Sequence, residues 1–156
     1  MLKVIDENEF KEFALKNPYF SIYQLPEWGT LKSGTGWVRH LLGYYENDVL
    51  VGVTMLLEKK MPFNLSLYYS PRGYLIDVNN YELLKRFNDE VIGYVKNNHG
   101  FMLKVDPNVI YATRDSEGNL KEKCGEEAYY NFKKLGFKHM GFSQNFEDLQ
   151  PRVLCR

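Results

Sequence analysis

With 156 residues, 44% of them hydrophobic and 26% charged, the chain is long enough for one folded domain with a real core, and its composition excludes intrinsic disorder. Lys plus Arg and Asp plus Glu number 20 each, so a broad electrostatic affinity for nucleic acid or an acidic membrane is not supported, although a local basic patch stays open. Aromatic residues are abundant at 15%, with 12 Tyr, which suits a core or a polar-lined cleft equally well.

Leu2 to Ile5 reads as a short strand. Asp6 follows as a helix N-cap, with Glu9 three residues on in a capping-box arrangement, and Phe10, Phe13 and Ala14 share one face of that helix until Asn17-Pro18 stops it. Tyr19 to Gln24 is extended or loop. Pro26 opens a second short helix carrying Glu27, Trp28, Leu31 and Lys32, in which Lys32 projects one turn beyond the Trp28 indole. Ser33-Gly34-Thr35-Gly36 ends it. Because these glycines follow a helix and precede a strand, they make a turn, not a phosphate-cradling loop.

From Trp37 the period changes. Val38 to Tyr45 and Val49 to Leu57 are strands joined by Glu46-Asn47-Asp48; Lys59-Lys60-Met61-Pro62 turns the chain into a third strand, Leu65 to Tyr69. That meander breaks at Ser70-Pro71-Arg72-Gly73 and resumes as a second apolar run, Tyr74-Leu75-Ile76. Taken locally, the break is either an ordinary Pro-Gly turn with a solvated arginine or an interrupted strand that turns its backbone and side chains outward, with Arg72 at the break. Asn79 and Asn80 cap a long amphipathic helix from Tyr81 to about Asn97, with Leu83, Leu84, Phe87, Val91, Tyr94 and Val95 on one side and Asn98-His99-Gly100 closing it. Phe101 to Val105 is a compact strand; a strand after a long helix after a strand predicts a crossover and parallel pairing. Tyr111 to Lys121 is a polar loop. A last helix from about Lys121 to Leu135 buries Ala128, Phe132 and Leu135 and stops at Gly136; Phe137 to Phe142 reads as a strand, and Val153-Leu154-Cys155 as the start of another. The fold class is α/β: helices on one mixed, largely antiparallel sheet, in the order of a GNAT-type acyltransferase domain.

The chemistry is sparse. His40, His99 and His139 are scattered without metal-type spacing, and Cys124 and Cys155 form neither a zinc motif nor a disulfide framework, so no metal site is expected. No apolar run nears the roughly 20 residues that cross a bilayer, and Met1 to Glu7 has no core of signal-peptide length; the expectation is a cytosolic, reduced protein. An acyl-CoA enzyme needs a Gly-rich, basic turn before the long helix, and Asp77-Val78-Asn79-Asn80 in that place counts against one. Asp106, held at the C-terminal end of a strand and followed by Pro107, stands where open α/β sheets bind ligands, and it could accept a ligand hydroxyl or amine, act as a base, or form a plain Asp-Pro turn. Lys32 is an anion contact if its helix borders the same cleft, and a solvated lysine otherwise.

Pro26-Glu27-Trp28-Gly29-Thr30-Leu31-Lys32, then Ser70-Pro71-Arg72-Gly73 with Asp77, then Leu103-Lys104-Val105-Asp106-Pro107, then Gln150-Pro151-Arg152 resemble successive landmarks of the Fem (FemABX) family, and Leu135-Gly136-Phe137-Lys138 fits as well. Each motif alone is weak; four in order along essentially the whole chain are fairly specific. These are the non-ribosomal peptidyltransferases that add amino acids to the peptidoglycan stem peptide. The resemblance implies two GNAT-like domains, of which residues 1–156 correspond to the first, with no counterpart of the second domain, so transfer by this chain alone is not expected. It implies aminoacyl-tRNA as donor, lipid II or its nucleotide-linked muropeptide precursor as acceptor, no cofactor, and a cytoplasmic place with peripheral association at the inner membrane face. Carried over by position, Lys32 matches a lysine on the precursor's phosphates and Asp106 an acidic residue lining the cleft; Phe101 stands where a relative has a substrate-contacting tyrosine, so a hydroxyl is lost. Tyr69 and Arg72 lie near this cleft by the meander argument. No catalytic residue is assigned. The rival readings are a stand-alone GNAT N-acyltransferase using acyl-CoA and a non-catalytic module that binds muropeptide or protein.

Overall fold

The structure, a computed structural model, describes residues 1–141. Gln150-Pro151-Arg152 and the apolar start at Val153 lie outside them. At the other end, β1 (Leu2–Val4) leads to α1 (Glu7–Lys16), capped by the Asp6 carboxylate, which accepts the Asn8 and Glu9 amides at 2.8 and 3.0 Å. Glu9 does not return the bond to complete a capping box, because its own carboxylate is taken by the Tyr45 hydroxyl. Tyr19 to Gln24 contains a single 3-10 turn, Ile22–Gln24, and Pro26 then opens α2 (Pro26–Ser33) from its first turn.

The meander is β2 (Val38–Glu46), β3 (Val49–Met61) and β4 (Leu65–Ser70), all antiparallel. Both connections are tight turns whose two central residues have positive φ: Asn47 and Asp48 at 49° and 62°, Phe63 and Asn64 at 62° and 57°. The second turn is narrower than expected. Lys59, Lys60 and Met61 stay in β3, paired with Leu67, Ser66 and Leu65, so the ladder runs to the last residue before Pro62. Asn80 caps α3 (Tyr81–Asn97) by accepting the Leu83 amide at 3.1 Å, and α3 delivers β5 (Gly100–Val105) parallel to β4, as the crossover pattern predicts. The sheet order is β1-β2-β3-β4-β5.

Side chains alternate across this sheet. Leu42, Leu56, Tyr68 and Ile76 face α3, where Leu84, Phe87, Val91 and Val95 pack on them. Leu41, Val53, Met55, Leu57 and Leu75 face the other way, against Phe10 and Ala14 of α1 and the flank of Trp28.

After β5 the chain departs from its expected elements. The expected polar loop holds a two-stranded hairpin, β6 (Thr113–Arg114) and β7 (Leu120–Glu122), turned by Asp115, whose carboxylate accepts the Glu117 and Asn119 amides. α4 (Glu126–Lys134) therefore starts at Glu126 and not at Lys121, since Leu120–Glu122 is paired and the Gly125 amide donates to the Tyr111 carbonyl at 3.0 Å. Gly136, at φ 88°, ends the helix as expected. The described part of the expected strand Phe137–Phe142 is not a strand: the Phe137 amide bonds back to the Phe132 carbonyl and the two rings meet at 5.5 Å, which folds the segment onto α4.

Candidate functional site

The site begins where two strands part. β4 leaves β3 after Ser70, and the next bridge is Leu75 to Val53, whose amides and carbonyls bond both ways at 3.0 and 3.1 Å. Between these points the edge of β3 has no strand beside it. Gln24, fully buried, fills the gap: its carbonyl accepts the Met55 amide at 3.0 Å and its amide donates to the Pro71 carbonyl. Beside it the hydroxyls of Thr54 and Ser70 bond at 2.7 Å. A Cβ on Gly73 would lie 2.1 Å from Ser70 Oγ and 2.9 Å from Gln24 Nε2, so only glycine fits there. The break is thus turned inward, contrary to the outward reading: Pro71, Gly73, Tyr74, Leu75 and Ile76 are buried, because Gln24 supplies hydrogen bonds to the Met55 amide and the Pro71 carbonyl that let backbone leave a ladder without meeting water, while Thr54 and Ser70 satisfy each other beside it.

Arg72 sits at the crest of this turn with φ 53°. Its amide donates to Asp106 Oδ1 at 2.6 Å, and the Tyr69 hydroxyl donates to Asp106 Oδ2 at 2.9 Å. Asp106 therefore ties the end of β5 to the end of β4 with both carboxylate oxygens. Burial raises the Asp106 carboxyl above its ordinary range, and the two donors offset this only in part. Burial also pushes the Tyr69 hydroxyl up, with the Asp106 charge adding to it. Asn108 anchors the following loop by donating to the Tyr19 and Phe20 carbonyls at 3.2 and 3.0 Å.

On the α2 side of the sheet three lysines each lie over an aromatic ring: Lys32 over Trp28 at 5.0 Å, Lys59 over Trp37 at 5.7 Å and Lys104 over Tyr69 at 5.2 Å. Tyr23 meets Trp28 edge-on at 4.7 Å. Lys59 also donates to the Thr35 carbonyl at 2.7 Å, which fastens the end of α2 to β3. Among the described residues none of these three lysines, nor Arg72, has a carboxylate within 4.0 Å of its charged nitrogens. The neutral overall charge thus hides a local cationic, aromatic-lined face suited to phosphate and to a flat ring.

The sequence-predicted residues divide accordingly. Tyr69, Arg72 and Asp106 come together at one end of β4 and β5, and Lys32 lies on the same side of the sheet through Trp28. Phe101 does not join them. It is at the far end of β5, roughly 16 Å of strand from Asp106, half exposed, and skipped by the pairing, since Ser66 faces Gly100 and Leu67 faces Met102. Lys59, Lys104 and Gln24 were missed: two are strand lysines and one a lone glutamine, and only strand register places them. The N-terminus of α3 is filled from within the chain. Asp77 accepts the Asn79 amide, Asn80 accepts that of Leu83, and Asn131 of α4 donates to the Val78 and Asn79 carbonyls. That leaves an acidic, side-chain-capped terminus where an acyl-CoA pyrophosphate would need free amides.

Comparison with known proteins decides the family. A model of the FemAB family matches residues 5–155. The chain belongs to the FemAB family. A lipid II:glycine glycyltransferase of Staphylococcus epidermidis is 31% identical over 152 residues, covering 96% of this chain and 34% of that protein. One from Staphylococcus aureus shows the same 31% over 152 residues. The chain thus spans about a third of the length of these curated relatives. A crystal structure of FemX superposes with TM-score 0.75 at 30% identity, over 92% of this chain and 33% of that one. A probable acetyltransferase, 9% identical, superposes with TM-score 0.56 over 100% of this FemAB chain and 97% of its own, which shows the shared GNAT-like fold and nothing further.

Proposed function

We propose that this chain forms the acceptor-side domain of a peptidoglycan bridge-forming aminoacyltransferase, acting at the inner face of the cytoplasmic membrane. The acceptor is the stem peptide of lipid II or of its nucleotide-linked precursor, and the donor is an aminoacyl-tRNA. In the reaction the stem-peptide amine attacks the ester carbonyl of the donor, an amide bond forms, and the tRNA ribose hydroxyl leaves with the proton.

The observation that carries this reading is the cationic, aromatic-lined α2 face in a chain that matches FemAB from residue 5 to residue 155. Every form of the acceptor carries a diphosphate next to an amino sugar. Lysines held over rings supply charge for the first and leave ring faces near it for the second. Asp106 has both oxygens committed to Tyr69 and Arg72, so its part is to hold the wall of the cleft in shape, not to take the amine proton.

Titration calorimetry with the nucleotide-linked muropeptide tests the reading. Binding is expected, and Lys32→Ala is expected to weaken it by about tenfold, the scale of one charge-assisted contact to phosphate. Unchanged affinity in Lys32→Ala would show that the phosphates sit elsewhere. Micromolar binding of coenzyme A in the same instrument would overturn the reading in favour of an acyl-CoA enzyme.

A further inference from the structure

The end of the sheet away from Asp106 carries apolar side chains that the fold does not use. Phe63, at the tip of the β3–β4 turn, is 94% exposed, and its neighbours Met61 and Leu65, which face each other across the two strands, are 45% and 42% exposed. On the adjoining strand Phe101 and Met102 are 50% and 49% exposed, and Met102 is the register partner of Leu67. Five large apolar residues thus share one corner, where scattered exposure is the norm for a soluble surface.

The charge of this corner has one sign. Residues 59–67 and 96–102, which build it, contain three lysines and one histidine and no acidic residue. Lys60 projects from β3 beside Met61, and Lys96 lies in the last turn of α3, whose end is fastened here by the Ser66 amide bonding to the His99 carbonyl at 2.9 Å. Glu58, at the nearest point of β3, is buried and occupied by Ser66 and His40.

We infer that this corner is a membrane-docking surface, with Phe63 inserting among acyl chains and Lys60 and Lys96 meeting anionic headgroups. A protruding aromatic on a tight turn, flanked by partly exposed apolar side chains and ringed by cations, is the chemistry of an interfacial anchor. A hydrophobic protein partner would need no such one-sided charge. The inference stands apart from the transfer reaction, since it asks only for an anionic bilayer. It also orients the site: Lys59, whose amine fastens the end of α2 that carries Lys32, is two residues from Met61, so the docked corner brings the lysine face toward the headgroups.

The test is sedimentation of the purified chain with vesicles of phosphatidylglycerol and phosphatidylcholine. The chain is expected to sediment with them. Phe63→Ser is expected to lower partitioning by about tenfold, the worth of one aromatic side chain buried in hydrocarbon, and Lys60→Glu to lower it severalfold. Phe63→Trp is expected to bind and to show tryptophan quenching by bromine-labelled acyl chains beyond that of the parent. Phe63 makes no buried contact, so these variants keep the fold. A chain that stays in solution, as it would if a second copy or another protein segment covered this corner, overturns the inference. So does a Phe63→Ser variant that sediments like its parent, or a Phe63→Trp variant that binds without added quenching.

Discussion

Asp106 holds Tyr69 and the backbone of Arg72 at once, with its two oxygens at 2.9 Å from the phenol and 2.6 Å from the amide. The bond pair spans the point where parallel β4 and β5 end and where a ligand cleft opens in such sheets. One half-buried carboxylate therefore fixes both walls of the opening. Asp106→Ala is expected to cost about 2–3 kcal/mol, because it leaves the Arg72 amide and the Tyr69 hydroxyl without a partner. Asp106→Asn, which keeps an acceptor for the amide, is expected to cost about 1 kcal/mol. Urea denaturation checks the order; equal losses in the two variants would contradict it.

Half-buried Asp106 and buried Glu58 respond to pH with opposite signs. Burial raises Asp106 above its usual 3.8, so the folded state holds that proton more tightly than the unfolded chain; its contribution is full below about pH 3.8 and is lost as pH rises through the folded value. Burial also pushes Glu58 up, but the Ser66 hydroxyl and His40 outweigh it and hold the group below its usual 4.5. The Glu58 contribution is therefore full above about pH 4.5 and is lost as pH falls through the folded value. Urea midpoints measured across the carboxylate range should show the loss on acidification shrinking in Glu58→Gln. In Asp106→Asn the decline with rising pH should shrink instead. The same pH profile in both variants would refute the opposition.

Gln24 does the work of a missing strand. Gln24→Ala is expected to destabilise the protein by about 2–3 kcal/mol, since the Met55 amide and the Pro71 carbonyl stay buried without partners. Amide hydrogen exchange should show Met55 losing its protection while Leu57, paired to Tyr69 in the ladder, keeps it. Unchanged protection at Met55 would show that another group serves it.

At Gly73 the obstacle is steric. Gly73→Ala is expected to cost about 3 kcal/mol or to prevent folding, because its Cβ would sit 2.1 Å from Ser70 Oγ. Adding Ser70→Ala removes that atom and should recover part of the loss, while Gln24 Nε2 at 2.9 Å keeps recovery incomplete. Thermal melts of the single and double variants test this; no recovery would place the conflict elsewhere.

Lys104 should behave as a ligand contact and not as a structural residue. Its amine lies over Tyr69 without an ion pair among the described residues, so Lys104→Ala should change stability by less than about 0.5 kcal/mol. Affinity for the nucleotide-linked muropeptide should fall severalfold, and the loss should combine with that of Lys32→Ala. Calorimetry of the single and double variants separates the two effects.

The elements that depend on local pattern were legible in the sequence. The Asp6 and Asn80 caps, the 3.6-residue apolar spacing of α3, the strand alternation of the meander and the parallel return of β5 follow from side chains close together in the chain, which is where capping and amphipathicity act. The ordered landmarks also led to the FemAB family. Three local expectations failed where a polar segment pairs or folds back on its near neighbours: Thr113 pairs with Glu122 across the Asp115 turn, α4 starts late because the Gly125 amide reaches the Tyr111 carbonyl, and Phe137 bonds back to Phe132 on α4. The inward turn at Ser70 to Gly73 could not be foreseen either, since the group that satisfies it, Gln24, is 46 residues from Ser70. The sequence by itself thus determined the helices, the meander, the crossover and the family. Only the tertiary structure decided that Asp106 closes on Tyr69 and Arg72, that three lysines share one aromatic face, and that Phe101 stands apart from both. Strand register places those side chains, and register is fixed by which faces the core buries, a property of the assembled sheet and not of any one segment.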